Sequence, residues 1–172
     1  MKSFKQIVLL FAVGIFTLNA TAQKKSDIVD VAASSKAHTT LVAAVKAADL
    51  VATLKSKGPF TVFAPTNDAF AKLPAGTVET LLKPENKAKL AAILTYHVIA
   101  GTLDAKAVLA AIKKGKGKAV LTTVAGGKLT ATVENGKVVL TDAKGGKAIV
   151  TATNLKASNG VIHVIDSVLL PI

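Results

Sequence analysis

The chain of 172 residues contains no cysteine and no tryptophan, and Tyr96 is its only tyrosine. Without cysteine, it can form no disulfide framework, carries no lipid-modified cysteine anchor and has no thiol nucleophile. The sequence therefore predicts that folding stability comes from the packing of apolar side chains alone.

Arginine is also absent, so all 22 basic side chains are lysines, set against 10 acidic residues. Lysine lacks the planar guanidinium fork that reads phosphates and guanine edges in a bidentate manner. After residue 22 the only aromatic residues are Phe60, Phe63, Phe70 and Tyr96, which are too few for a stacking platform along single-stranded nucleic acid. Sequence-specific nucleic-acid binding is therefore not expected.

The one long apolar run lies at the N-terminus. Lys2 and Lys5 precede the run from Ile7 to Leu18, and Ala20-Thr21-Ala22 then forms an A-x-A cleavage pattern. This arrangement is typical of a secretory signal peptide, predicted to be cleaved. No later run is long and apolar enough to cross a bilayer, so no transmembrane segment is expected after the signal is removed.

The sequence predicts a domain organisation of residues 1–22 as the signal peptide and residues 23–172 as one exported domain. A chain of that mature length buries roughly 68–70% of its unfolded surface as one domain. Export would place it in the periplasm or outside the cell.

Hydrophobic periodicity changes from helical to strand-like along the chain. In the first half, apolar residues recur every three to four positions, and Asp104 is suited to cap the last of the predicted helices. From Ala119 onward, apolar and polar residues alternate, and turn pairs such as Asn135-Gly136 separate the strands. Residues 161–171 are nearly all apolar, which predicts a central strand covered on both faces. The fold class is therefore predicted to be α+β, with antiparallel strands.

Residues 58–74, GPFTVFAPTNDAFAKLP, contain a strand, a turn and a helix start. The β-forming run around Thr61 and Phe63 ends at Pro65, which cannot continue a hydrogen-bonded ladder. Thr66 is predicted to cap a short helix that contains Asp68 in its first turn and continues through Phe70. These residues are interpreted as structural.

Three segments taken together resemble the fasciclin-like domain family: residues 58–74, LTYHVIAG at 94–101, and SNGVIHVIDSVLLP at 158–171. They match the family's first motif, its tyrosine-histidine motif and its closing motif, in the right order and spacing. The resemblance covers residues 27 to 171 and points to the exported, single-domain bacterial type.

The resemblance implies a fasciclin-like fold, in which several α-helices flank a sandwich or wedge of β-strands and the two outer motifs lie together at the centre. It also implies a role in cell adhesion or in binding extracellular matrix or surfaces, without catalysis. The expected partners are protein or polysaccharide surfaces, including a second copy of the chain.

Tyr96 and His97 are the candidate interaction residues, because the resemblance assigns a binding role to their motif and an exposed tyrosine makes a good contact residue. The alternative follows from the apolar face of the predicted helix, which has Leu94 beside them. On that interpretation, His97 is a core residue hydrogen-bonded to the backbone or to a threonine.

The closing motif contributes Asn159, Gly160, His163 and Asp166, which are interpreted as scaffold. His163 and Asp166 fall on opposite faces of one strand, so they cannot act together on one substrate. The three histidines of the chain have no helical zinc-site spacing, and the sequence has no G-x-S-x-G elbow or phosphate loop. No cofactor, metal site or enzymatic activity is expected.

Lysine is concentrated late in the chain, with ten lysines between Lys106 and Lys156 against Glu134 and Asp142. The densest stretch is KKGKGK, which contributes Lys113, Lys114, Lys116 and Lys118. Such a face could attract polysaccharide, extracellular DNA or anionic lipid without sequence selectivity. The alternative interpretation is a solvated surface whose lysines protect strand edges.

Overall fold

The computed structural model describes residues 25–171, so the predicted signal peptide lies outside the described residues. Seven α-helices occur within residues 25–171. Their bounds are Ile28–Ser34 (α1), Thr39–Ala47 (α2), Val51–Leu54 (α3), Asn67–Ala71 (α4), Thr77–Leu81 (α5), Lys87–Tyr96 (α6) and Ala105–Lys114 (α7). None of these helices is long and apolar enough to cross a membrane.

Side-chain caps fix the starts of three helices. At α1, Asp27 accepts a hydrogen bond from Asp30 N, and the Asp30 side chain accepts one from Asp27 N in return. Thr66 caps α4, and Asp104 caps α7 through a 2.7 Å bond to its Oδ1. Each cap satisfies a backbone donor that the helix itself leaves free. The caps predicted for Thr66 and Asp104 are confirmed.

Seven strands of the described residues form one mixed sheet. Their bounds are Phe60–Pro65 (β1), Val98–Ala100 (β2), Lys118–Thr122 (β3), Lys128–Glu134 (β4), Lys137–Thr141 (β5), Lys147–Ala157 (β6) and Gly160–Ile165 (β7). The order across the sheet is β2-β1-β7-β6-β5-β4-β3. Strands β3 to β7 follow one another as antiparallel neighbours, as their turn signals predict. The predicted α+β class is confirmed.

The central pair, β1 and β7, runs parallel, whereas the sequence predicts antiparallel strands. This detail of the prediction is wrong. Phe60 pairs with Gly160 and Pro65 with Ile165, so the two outer motifs lie side by side. Parallel neighbours need a long crossover connection, which here is made by everything between the two strands. Hairpin turns reveal only strands that are adjacent in sequence, so a sequence pattern gives no sign of this pairing.

The two ends of the sheet meet. Val124, which follows the last strand in the sheet order, donates its backbone N–H to the carbonyl of Val98 in β2 at 2.8 Å. The sheet therefore curls back toward its own first edge and encloses part of the core.

Two apolar clusters cover opposite faces of the central pair. The helical cluster joins helices α1, α2 and α6 to Val62 and Ile162, whereas the sheet cluster joins α7 and strands β3 to β6 to Phe63 and Ile165. Alternate side chains of β1 and β7 therefore enter different clusters. The prediction that the last strand is covered on both faces is confirmed, and every residue from Val161 to Ile165 is buried.

Candidate interaction sites

Tyr96 and His97 lie where α6 ends and β2 begins, and both side chains are buried. Tyr96 is 1% exposed and His97 is 2% exposed. In this structure neither side chain offers a surface to a partner. Their contacts instead connect α6 to loops at the far end of the curled sheet.

The Tyr96 hydroxyl connects two hairpins. It donates to the carbonyl of Lys128 at 2.8 Å and accepts from the backbone N–H of Ala143 at 3.1 Å. The ring fills the space beside Gly127, where a Cβ would lie 2.4 Å from Tyr96 Cε2. Burial raises the pKa of Tyr96, so the phenol stays protonated and keeps its donor.

His97 uses both ring nitrogens on the backbone. Nδ1 lies 2.8 Å from the carbonyl of Ile93 and must donate, whereas Nε2 lies 3.0 Å from Leu169 N and must accept. These contacts define one neutral tautomer. Burial lowers the pKa of His97 to about 4, against the opposing effects of the Ile93 bond and of Asp142. The predicted backbone hydrogen bond of a core His97 is confirmed.

Asp142 completes this arrangement, although the sequence analysis did not single it out as a site residue. Its Oδ1 accepts from Lys144 N and Gly146 N, and its Oδ2 accepts from Leu170 N at 2.9 Å. An aspartate just before a Gly-Gly turn commonly bonds to backbone two residues on, which is the signal that could have revealed it. We refer to Tyr96, His97 and Asp142 as the closing network, because they join α6, the hairpin loops and the C-terminal segment.

The closing-motif residues His163 and Asp166 make separate contacts. His163 Nε2 donates to the carbonyl of Leu103 at 2.7 Å, Nδ1 accepts from Asn154 N at 3.4 Å, and the ring stacks on Phe63. Burial lowers the pKa of His163, which favours this neutral form.

Asp166 lies at the end of the last strand and accepts from Ile149 N at 2.8 Å. Burial alone would raise the pKa of Asp166, but bonds from Ile149 N and Ser167, together with Lys72, lower it. The contacts made by His163 and Asp166 therefore serve different parts of the backbone.

The remaining motif residues serve the central strands and their connections. Thr61 Oγ1 donates to the carbonyl of Gly101 and accepts from Leu103 N, both at 2.8 Å. Asp68 is exposed in the first turn of α4. Phe70 belongs to the helical cluster, and Pro65 is the last residue of β1.

The segment 113–118, the lysine loop, extends from the last turn of α7 to the start of β3. Its four lysines, Lys113, Lys114, Lys116 and Lys118, are exposed, and none takes part in an ion pair within residues 25–171. Lys113 and Lys114 lie where cations favour the helix dipole. The lysine loop is thus a compact and accessible concentration of positive charge.

Across the described part of the chain, no group of three or more His, Asp or Glu side chains is arranged to hold a metal ion. The carboxylates of Asp142 and Asp166 and the imidazoles of His97 and His163 are instead engaged with backbone groups or, for Asp166, also with Lys72.

Comparisons with known proteins agree with this fold. The chain is 55% identical over 152 residues to Protein sll1483 of Synechocystis sp., a match that covers 88% of this chain and 77% of the relative. It is 39% identical over 151 residues to immunogenic protein MPB70 of Mycobacterium bovis, covering 84% of this chain and 69% of the relative. Against the much longer transforming growth factor-beta-induced protein ig-h3 of Sus scrofa, it is 36% identical over 144 residues, covering 84% of this chain and 19% of the relative.

Among solved structures, the fold is similar to a FAS1 domain pair from the insect cell adhesion molecule fasciclin I, with a TM-score of 0.73 and 20% sequence identity. The match covers 84% of this chain and 51% of that one, so the chain spans about half of the domain pair. The family model described as the fasciclin domain matches residues 36–171. The chain therefore belongs to the fasciclin domain family.

Proposed function

We propose that this protein is an exported fasciclin-domain protein that binds surfaces, in cell adhesion or in contact with extracellular matrix, and that it performs no catalysis. Family membership over residues 36–171 supports the proposal, as does the similarity of its fold to part of a cell adhesion molecule. The sequence of residues 1–22 supports export, with residues 23–172 as the mature domain, either in the periplasm or outside the cell.

Two of the three buried histidines in the described part of the chain, His97 and His163, support a non-catalytic role. Both ring nitrogens of His97 and of His163 are hydrogen-bonded to backbone groups, so neither imidazole has a free nitrogen with which to exchange a proton with a substrate. A general base must come within hydrogen-bond reach of the proton it removes. These side chains act in this protein as backbone connectors.

Because Tyr96 and His97 are buried, we propose that the binding surface lies elsewhere on the domain. A role for the Tyr96-His97 motif in binding is then indirect, through the loops that the closing network holds. Replacing Tyr96 by Phe keeps the ring and removes both hydrogen bonds. If surface binding falls in this variant, it should fall together with thermal stability.

Oligomeric state and bead assays test the adhesion proposal. Bridging two surfaces needs two binding sites, which one small domain supplies by self-association or by using two faces. If the protein self-associates, we expect light scattering on the mature protein to show an oligomer. If it is a monomer with two binding faces, we expect beads coated with the protein to cross-link with matrix-coated beads. A strict monomer whose beads bind no matrix component would contradict the proposal.

The second candidate function is polyanion binding through the lysine loop, favoured by the exposure of its four lysines, none of which is in an ion pair within residues 25–171. We expect the mature protein to be retained on heparin at low salt and released at moderate ionic strength, since such contacts are screened within about 10 Å at 0.1 M salt. The test variant changes Lys113, Lys114, Lys116 and Lys118 to Gln. A matched control makes the same change at the exposed Lys36, Lys46, Lys83 and Lys89.

If the lysine loop carries the binding, its variant elutes earlier than the matched control. Equal elution of the two variants would attribute retention to net charge alone, and no retention at low salt would exclude polyanion binding.

A further inference from the structure

A second basic surface lies away from the lysine loop, at the end of the sheet where β1 and β7 begin. It is an open groove of about 820 Å³, whose lining includes Lys57, Pro59, Thr102, Asp104, Lys156 and Ser158. We call it the basic groove. Three separate segments form its walls: the loop before β1, the loop after β2, and the turn between β6 and β7.

Hydrogen bonds from Asn159 hold two of these walls together. Its Nδ2 donates to the carbonyls of Leu54 at 2.7 Å and Ser56 at 2.9 Å, while its Oδ1 accepts from Ile28 N at 3.0 Å. The lining is therefore positioned before any ligand arrives, which lowers the entropic cost of binding.

Two glycines keep the walls close. A Cβ on Gly58 would lie 2.1 Å from the carbonyl oxygen of Asn159, and one on Gly160 would lie 2.1 Å from that of Phe60. Real Cβ atoms do not approach backbone atoms so closely, so glycine is required at both positions. The motif residues Asn159 and Gly160 thus shape the groove as well as the fold.

The cations of the groove differ in their availability. Lys55 lies at the rim and is held by Asp27 at 2.8 Å and Asp30 at 2.6 Å, which raise its pKa. Lys57 and Lys156 are exposed and take part in no ion pair within residues 25–171. Lys57 and Lys156 therefore line the open groove without an ion-pair partner among residues 25–171.

The other polar groups narrow the class of ligand. Hydroxyls of Thr102 and Ser158 can both donate and accept, and Asp104 adds one carboxylate. The Ser56 hydroxyl donates to the carbonyl of Thr53 at 2.6 Å and so serves a ligand only as an acceptor. A mixture of cations, hydroxyls and an acceptor matches a ligand that carries both acidic groups and hydroxyls. A nucleic-acid strand fits less well, since no aromatic ring among the described residues lines the groove for base stacking.

We propose that the basic groove binds acidic saccharides, with Lys57 and Lys156 contacting carboxylates and the hydroxyls and Asp104 contacting sugar hydroxyls. The inference rests on the proposed surface-binding function, and it gives that function a specific partner class. Charge-assisted hydrogen bonds from two lysines would supply most of the affinity.

Calorimetric titration with a tetramer of galacturonate tests the inference on the mature protein. The groove variant is Lys57→Gln with Lys156→Gln, and the matched control is Lys83→Gln with Lys89→Gln, which removes the same charge from exposed positions outside both the groove and the lysine loop. We expect the groove variant to weaken binding about fivefold to tenfold, which is the loss expected when two charged contacts are removed. We expect the control to weaken binding less than twofold. Both pairs are exposed, so the melting temperature of each variant should stay close to that of the unmodified protein.

Two further ligands complete the test: an uncharged galactose tetramer and a single-stranded oligonucleotide of equal charge. We expect the uncharged sugar to bind at least tenfold more weakly than the acidic one, and the oligonucleotide to bind more weakly too. Equal losses in the two variants, or equal affinity for the oligonucleotide, would overturn the groove assignment. Absence of acidic-sugar binding would overturn it too, while positive bead cross-linking would leave the broader surface-binding proposal standing.

Discussion

The closing network and the basic surfaces of this domain use polar groups in opposite ways. In the closing network, buried side chains are matched to backbone partners, as when Tyr96 and His97 each make two hydrogen bonds. In the lysine loop and the basic groove, exposed cations such as Lys113 and Lys57 have no ion-pair partner among the described residues. A buried polar side chain whose hydrogen bonds are all formed stabilises the fold. An exposed lysine that is not in an ion pair remains available for binding.

The residues that identify the family are therefore different from the residues that are exposed to a partner. The tyrosine-histidine motif identifies the family, yet it is internal to the protein. Substitutions should therefore affect stability strongly at the closing network and weakly at the lysines, which gives a graded series of tests.

The largest effect is expected for Tyr96→Ala. Removing a buried aromatic side chain leaves a cavity, and such changes cost about 3–5 kcal/mol of unfolding free energy. Urea denaturation of the variant measures this loss, with Lys113→Ala as a surface control expected to change stability by less than about 0.5 kcal/mol. A loss below about 1 kcal/mol for Tyr96→Ala would contradict the burial of its ring.

Acidification should produce the next largest effect, through His97. Because folding lowers its pKa from 6.5 to about 4, the unfolded chain takes up a proton first as the pH falls. The stability that the low pKa of His97 contributes is fully present above pH 6.5 and is lost between pH 6.5 and pH 4. Over this range the unfolding free energy falls by about 3 kcal/mol. Urea denaturation at several pH values across this window measures the slope.

The matched variant for this test is His97→Gln, which should be less stable at pH 7 and should show a shallower pH dependence. Some slope remains, because burial also lowers the pKa of His163. An unchanged slope in His97→Gln would show that another group is responsible.

Gly127→Ala should have an intermediate effect. Its new Cβ would overlap the Tyr96 ring, and overpacking of this kind costs about 1–3 kcal/mol. Gly126→Ala is the control, since its Cβ would meet no neighbour and only its positive φ of 83° penalises alanine, by about 1 kcal/mol. Thermal unfolding compares the two, and a smaller loss at Gly127 than at Gly126 would contradict the tight packing on Tyr96.

The smallest effect is expected when the four lysines of the lysine loop are changed to Gln. None of them is buried or paired within the described residues, so the unfolding free energy should change by less than about 1 kcal/mol. Urea denaturation at low salt measures the change. A loss comparable to that of Tyr96→Ala would mean that the loop supports the fold, and the comparison between the two regions would fail.

Local signals in the sequence account for much of the fold. Asn135 and Gly136 have φ angles of 50° and 76°, as the predicted two-residue turn requires. Thr66 and Asp104 cap helices as expected. In these cases, the residues that determine the structure are neighbours along the chain, so a short pattern is sufficient.

The candidate sites were less predictable, because they depend on residues that are distant in sequence. Whether Tyr96 is exposed depends on Gly127 and Ala143, which reach it only after the sheet curls. The basic groove joins Lys57 to Lys156 through the parallel pairing of β1 and β7, for which no local signal exists. Periodicity could therefore identify the elements but not the surfaces they form together.

That parallel pairing also has a kinetic consequence. The parallel pair joins two strands that lie 100 residues apart in the sequence, with Phe60 opposite Gly160. Domains dominated by such distant contacts fold more slowly than those built from local ones, because closing a long loop precedes the contacts that stabilise it. During synthesis, β1 has no neighbour on this side until the last strand is available. The chain must therefore be almost complete before β1 and β7 can pair.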